Sequence, residues 1–248
     1  MPNLAGKVAL VTGGSRGIGA GIARRLATDG ADVAVTYVHN SGLAQTVVKD
    51  IETLARRGKA IRADAADATA VTAAVEATVE AFGRIDILIN NAGFMEVQPG
   101  PFEDQSLELI DRTMEVNIRA AILAARAAVR HMAPGSRIIN IGSCLAERVP
   151  GPGITLYAMS KAALVGFTKG LARDLGPRGV TVNQINPGPI DTDMNPADGP
   201  GSEFQTALTA VGHYGSPMDI AAMASFLAGD DAGFITGATM SVDGGTNI

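Results

Sequence analysis

Short aliphatic runs, apolar on both faces and rich in Val and Ile, recur along the whole chain, each separated from the next by a longer Ala-rich segment. A strand apolar on both faces must be covered on both, which leaves a parallel sheet with helical crossovers above and below it. The pattern predicts strands over 7–12, 32–38, 59–63, 85–90, 137–142, 180–185 and 239–242. Helices are predicted over 18–28, 43–57, 68–82, 106–132 and 157–175, with a last one from 218 to 228. Helix stops stand at Asp29-Gly30, Gly58, Gly83 and Gly176-Pro177. Right-handed crossovers then give an α/β fold, a doubly wound Rossmann-type parallel sheet of about seven strands.

The 248 residues, 46% of them hydrophobic, supply one core of ordinary size, so residues 1–248 are read as a single domain. One Cys cannot form a disulfide within the chain and suits a reducing compartment. A net charge of -5 and a pI of 5.2 give no support to nucleic-acid binding. No run approaches the roughly 18 apolar residues of a membrane span, and the first residues lack a signal-peptide layout. The expectation is a cytoplasmic protein with neither a membrane nor a nucleic-acid partner.

One segment breaks the rhythm. Residues 186–201 carry Pro187, Pro189, Pro196 and Pro200 with Gly188, Gly199 and Gly201, and no regular element is expected there. The segment follows the sixth strand, at the carboxyl edge where such sheets bind ligands. We therefore expect a substrate lid over about 188–213.

Thr12-Gly13-Gly14-Ser15-Arg16-Gly17-Ile18-Gly19 joins the first strand to the first helix. Glycines are needed where the backbone turns sharply and a pyrophosphate must approach main-chain N–H groups, so Gly13, Gly17 and Gly19 point to a dinucleotide site. The second strand ends on Tyr37, followed by Val38-His39-Asn40-Ser41, with no acid to receive a ribose 2′-hydroxyl. Arg16 offers charge to a 2′-phosphate, with Asn40 and Ser41 as further donors, so NADP(H) is expected over NAD(H).

Tyr157-Ala158-Met159-Ser160-Lys161 places a phenol and an ammonium on one helix face. Ser143 closes the fifth strand at the same edge, and Asn117 lies in the preceding helix. With Asn90-Asn91-Ala92-Gly93, Asn186-Pro187-Gly188 and Val242-Asp243-Gly244-Gly245 in the same order, the chain resembles the short-chain dehydrogenase/reductase family over essentially its whole length. Within that family it is most similar to the 3-oxoacyl-carrier-protein reductase-like carbonyl reductases. Three residues between Tyr157 and Lys161, rather than six, set it apart from the enoyl-reductase branch.

The resemblance implies Tyr157 as general acid in reduction and base in oxidation, and Lys161 as the cation that eases its ionisation. Ser143 would orient the carbonyl and stabilise charge on its oxygen, and Asn117 would hold a relay water. On the cofactor side it implies Asp64 and Ala65 at the adenine, and Asn91, Ala92 and Gly93 along the ribose and pyrophosphate. Pro187, Gly188, Ile190 and Thr192 would stand at the nicotinamide. Ser15, Ile18, Tyr37 and the glycines complete that set.

The implied reaction is hydride transfer to a ketone or aldehyde, such as a 3-oxoacyl thioester, a β-ketoester or another small carbonyl compound. Phe94, Met95, Val149, Leu156, Met194 and Phe204 suggest an apolar pocket. An acyl carrier protein would need cations near the mouth, for which Arg130, Arg137, Arg173 and Arg178 are the candidates. The family commonly forms homotetramers, with the helices over 106–132 and 157–175 in the dimer contact. An alcohol dehydrogenase working oxidatively, or a nucleotide-binding sensor without turnover, are the alternatives. Cys144 reads as a packed thiol, and His131 and His213 lack metal-ligand spacing.

Overall fold

Seven parallel strands form one sheet in the computed structural model, which describes residues 3–97 and 100–248. They are β1 (Val8–Val11), β2 (Asp32–Tyr37), β3 (Gly58–Arg62), β4 (Ile87–Asn90), β5 (Arg137–Ile141), β6 (Thr181–Pro187) and β7 (Thr239–Val242). The order across the sheet is β3-β2-β1-β4-β5-β6-β7. Chain direction across the sheet reverses between β1 and β4, which opens a crevice outside their carboxyl ends. The helices are α1 (Gly17–Thr28), α2 (Ser41–Thr53), α3 (Ala68–Phe82), α4 (Leu107–Met114), α5 (Ala120–Ala128), α6 (Thr155–Leu175), α7 (Ser202–Leu208) and α8 (Pro217–Ala228). Among the described residues no helix is long and apolar enough to cross a membrane.

The two-residue period of a strand sorts the core into two layers. Ala9, Val11, Ile87 and Ile89 face α1, α2 and α8, where Ile22, Leu26, Val47 and Leu227 pack. Leu10, Leu88, Ile138 and Val182 face the opposite layer, with Val75, Ala124, Ala128 and Leu175. Small residues let helices close in: a Cβ on Gly21 of α1 would stand 2.9 Å from Pro217 Cβ at the start of α8.

Most elements shift by one or two residues at their ends, and four departures from the sequence pattern are larger or change its character. The second helix ends at Thr53 rather than 57, because Ala55 turns to φ +56° and Arg57 leaves to bind Asp32, through N at 2.8 Å and Nε at 2.7 Å. The helix expected over 106–132 is split by a widened π turn at Glu115–Arg119 and stops at Ala128. β6 runs on through Pro187, so the irregular segment begins after it. Finally, α7 forms inside the 188–213 segment once the prolines end at Pro200.

The α1–α8 contact gives a direct test of the layer packing. Gly21→Val should lower the unfolding free energy by about 1–3 kcal/mol in urea denaturation, through overpacking against Pro217. A change within experimental error would show that the helices separate freely.

Candidate active site

Backbone groups at the exits of β1 and β4 are stitched together by side chains. Thr12 Oγ1 accepts from Asn91 N at 2.9 Å and Ala92 N at 3.0 Å. In return, Asn91 Nδ2 donates to Thr12 O at 2.9 Å and Gly13 O at 3.1 Å. Gly13 N donates to Thr36 Oγ1 at 2.9 Å. Gly19 has no room for a side chain, since its Cβ would lie 2.5 Å from both Asn91 Nδ2 and Gly13 O. Gly17 takes φ +52° beside Thr192, so the glycine turn and the segment after β6 face each other. Gly14 is equally constrained, its Cβ position falling 2.7 Å from Val35 Cγ1. The sequence reading passed over Gly14 and Thr36, although the run of glycines displayed the first of them.

At the end of β2 the predicted residues divide. Asn40 caps α2, its Oδ1 accepting from Leu43 N at 3.0 Å, and Ser41 opens the helix beside it. Tyr37 ends the strand, half-buried. Arg16 turns away from this group: its Nη1 lies 3.3 Å from Asp193 Oδ2, an exposed pair that ties the glycine turn to the 188–213 segment. Asp64 accepts from Ala66 N at 2.9 Å and pairs with Arg112 at 3.3 Å, on a helix the sequence reading did not connect with it.

Ser143, Tyr157 and Lys161 meet at the exit of β5. Ser143 N donates to Asn186 Oδ1 at 3.2 Å, and Ser143 Oγ accepts from Leu145 N at 3.1 Å while pairing with the Tyr157 hydroxyl. Burial pushes the Tyr157 phenol up to about 12, partly offset by the Ser143 hydrogen bond. Lys161 is 4% exposed, donates to Ile141 O at 3.0 Å and stands 5.6 Å from the centre of the Tyr157 ring. Desolvation pushes its ammonium down to about 8. The expected easing of the phenol by this cation is therefore not the leading influence here; burial is. The neighbouring Cys144 is packed, its thiol pushed up to about 11 by burial.

Asn117 sits in the π turn, and its amide is committed to protein. Oδ1 accepts from Phe94 N at 2.7 Å, while Nδ2 donates to Phe94 O and to Ser160 Oγ, both at 2.9 Å. The side chain thus ties the loop after β4 to α6 rather than presenting a free amide to a relay water. Gly93 keeps the space beside it open, with its Cβ position 3.5 Å from Lys161 Nζ.

Pro187 ends β6, and Gly188 N donates to Val242 O at 3.1 Å. Ile190 is buried against Gly215, and Thr192 pairs with Asn195 at the start of the irregular segment. Met95, Val149, Met194 and Phe204 are exposed, on the segments that follow β4, β5 and β6. The four arginines considered for a carrier protein lie elsewhere. Arg137 begins β5 and is buried, Arg173 closes α6, and Arg178 and Arg130 follow helix ends at the amino edge of the sheet. His131 pairs with Glu76, and no group of metal-ligating residues exists among the described residues.

A family model described as Enoyl-(Acyl carrier protein) reductase matches residues 13–247. The cyclic-di-GMP-binding biofilm dispersal mediator protein of Escherichia coli strain K12 is 44% identical over 243 residues, 96% of this chain and 96% of that protein. Short-chain dehydrogenase/reductase FrzI of a Cladobotryum species is 40% identical over 253 residues, 98% of this chain and 97% of its own. The crystal structure of a short chain dehydrogenase from Burkholderia cenocepacia J2315 in complex with NADP is 55% identical, with a TM-score of 0.97, covering 99% of this chain and 100% of that one. Sequence, fold and the residues converging at the carboxyl edge agree, and the chain belongs to the short-chain dehydrogenase/reductase family.

Proposed function

We propose that the chain is an NADPH-dependent reductase of small apolar ketones and aldehydes, with Tyr157 as general acid. The observation that carries this reading is the convergence of the Ser143 hydroxyl, the Tyr157 phenol and a buried Lys161 ammonium at one cleft. A site that only binds a nucleotide has no use for a buried cation beside a phenol and a serine.

The residues present fit the dinucleotide. The first N–H groups of α1, at Gly17, Ile18 and Gly19, have no helical partner and are open to a pyrophosphate, with Gly13 and Ser15 in the same turn. Asp64 and Ala65 would meet the adenine, Asn91, Ala92 and Gly93 the ribose side, and Pro187, Gly188, Ile190 and Thr192 the nicotinamide. Tyr37, Asn40 and Ser41 carry no negative charge against a 2′-phosphate. Arg16 supplies a positive one, because an exposed ion pair such as that with Asp193 is worth little and gives way readily. Bound there, the nicotinamide supplies the hydride.

The protein's part is position and protons. Ser143 Oγ has one lone pair taken by Leu145 N, which leaves its own proton for a carbonyl oxygen. Tyr157, protonated throughout the neutral range, delivers its proton to the oxygen as charge develops. Lys161 lies against the ring and would restore that proton from the cleft side. Asn117 acts as a positioning residue between Phe94 and Ser160, so a relay water would have to use the backbone of the π turn.

Apolar side chains around the cleft favour an apolar carbonyl compound. Exposed Glu96, Glu147, Asp191, Asp193, Asp198 and Glu203 on the same segments would repel an acidic acyl carrier protein. A free small substrate is therefore preferred over a carrier-bound 3-oxoacyl thioester. Oxidation of the corresponding alcohol uses the same residues in reverse. Leu107, Met114, Ile122 and Met159 lie exposed on α4, α5 and α6, which supports a homotetramer built through that face.

NADPH consumption over a panel of ketones, β-ketoesters and acyl thioesters tests the reading. Turnover with apolar ketones is expected, and Tyr157→Phe should lower kcat by about 10³-fold. Arg16→Ala should raise KM for NADPH about 10-fold while leaving that for NADH unchanged. Cofactor binding without turnover in either direction would instead favour a nucleotide sensor.

Lys161 also makes a stability prediction. Below about pH 8 its ammonium is charged in the fold at a cost that the unfolded chain, with a pKa of 10.5, does not bear. That cost fades as pH rises from about 8 to 10.5. Lys161→Met should thus be more stable than the parent at pH 7 by up to about 3 kcal/mol while losing activity. Thermal unfolding should show the gap closing toward pH 10.5.

A further inference from the structure

Ser143 is the first residue whose N–H lies beyond the β5–β6 ladder. Gly142 N still donates to Ile185 O at 2.7 Å. The next N–H has no strand carbonyl to meet and goes to a side chain, Asn186 Oδ1, at 3.2 Å. That oxygen also accepts from Gln184 Nε2 at 2.7 Å, and Asn186 Nδ2 donates to Glu147 Oε1 at 3.2 Å. The amide is therefore held on three sides.

The clamp is set rigidly into the sheet. Gln184 Oε1 accepts from Thr168 Oγ1 at 3.3 Å, Thr168 Oγ1 accepts from Asn140 Nδ2 at 2.8 Å, and Asn140 Oδ1 accepts from Asn90 Nδ2 at 2.9 Å. Asn140, Thr168, Gln184 and Asn186 are all 0% exposed, so none of these bonds can be exchanged for water. Gly142 is part of the arrangement: a Cβ there would fall 2.2 Å from Asn186 Oδ1 and 2.3 Å from Gln184 Nε2. A side chain at 142 would expel the amide that holds Ser143.

We propose that Asn186, clamped between Gln184 and Glu147, is a positioning residue for Ser143 in carbonyl reduction. The proposal rests on the reductase reading above. Asn186 fixes the Ser143 backbone while Leu145 N fixes its oxygen, so the hydroxyl is held beside the Tyr157 phenol. Glu147, which follows the short turn at Cys144–Ala146, sets which end of the Asn186 amide faces Ser143, because a carboxylate accepts only from the NH2 end.

Exchanging donor and acceptor tests this. Asn186→Asp keeps an acceptor for Ser143 N and Gln184 but sets a carboxylate against Glu147. Adding Glu147→Gln returns a donor to that position. Asn186→Ala and Asn186→Asp should each lower kcat by about 10–100-fold, the scale of a misplacement of about 1 Å, with the Kd for NADPH unchanged. The double variant should recover to within about threefold of the Glu147→Gln reference, as expected where the two residues act on one bond. Cys144, the one thiol in the chain and adjacent to Ser143, gives a readout independent of turnover. Its labelling by a disulfide reagent should quicken in Asn186→Asp and return to the reference rate in the double variant. Equal kcat in all the proteins, or a loss in Asn186→Asp that the second substitution fails to repair, would overturn the assignment. Absence of turnover in the parent protein would sink the reductase reading instead, and the labelling pattern would then decide the positioning of this turn alone.

Discussion

A parallel sheet brings every strand to an end on one edge, and at that edge the backbone runs out of ladder partners. Buried N–H groups there must find acceptors elsewhere. In this chain, polar side chains from the neighbouring exit or helix provide them. Thr36 takes Gly13 N at the end of β1, and Thr12 takes Asn91 N and Ala92 N at the end of β4. Asn117 takes Phe94 N, and Asn186 takes Ser143 N at the end of β5. Each bond satisfies a stranded donor and at the same time fixes a turn that carries candidate chemistry. The requirement to satisfy the backbone and the requirement to place a site are met by the same residues.

The rhythm of the fold was legible because burial on both faces leaves a continuous apolar run, and seven such runs separated by Ala-rich helices admit few arrangements. The glycine turn and the Tyr157–Lys161 pair were legible because their spacing is local. Partners distant in sequence were not. Arg16 and Asp193 lie 177 residues apart, and nothing in either neighbourhood signals the pair. The π turn at Glu115–Arg119 was hidden as well, since the apolar pattern reads through it; the widened turn is held by Asn117 bonds to Phe94 and Ser160. Gln184 falls inside the strand expected over 180–185 and Asn186 just beyond it, but nothing in either neighbourhood signals the bonds that join them to Ser143 and Glu147.

Burial gives the Ser143 cleft its electrostatic character. Removing water from one pocket moves an acid and a base in opposite directions, the Tyr157 phenol up to about 12 and the Lys161 ammonium down to about 8. Both shifts favour neutral forms, so the pocket resists holding charge of its own. On the proposed reductase reading, a phenol made reluctant to ionise by burial would still protonate a carbonyl oxygen that is becoming an alkoxide, because the alkoxide is much the stronger base. The same dryness strengthens the hydrogen bonds that Ser143 and Tyr157 can offer to that oxygen. On that reading, charge would appear only as the reaction proceeds, at the oxygen these two hydroxyls would meet. Accurate placement of Ser143 would then matter more than in a wet cleft, and the buried amide of Asn186, which accepts from Ser143 N, is the group proposed to supply it.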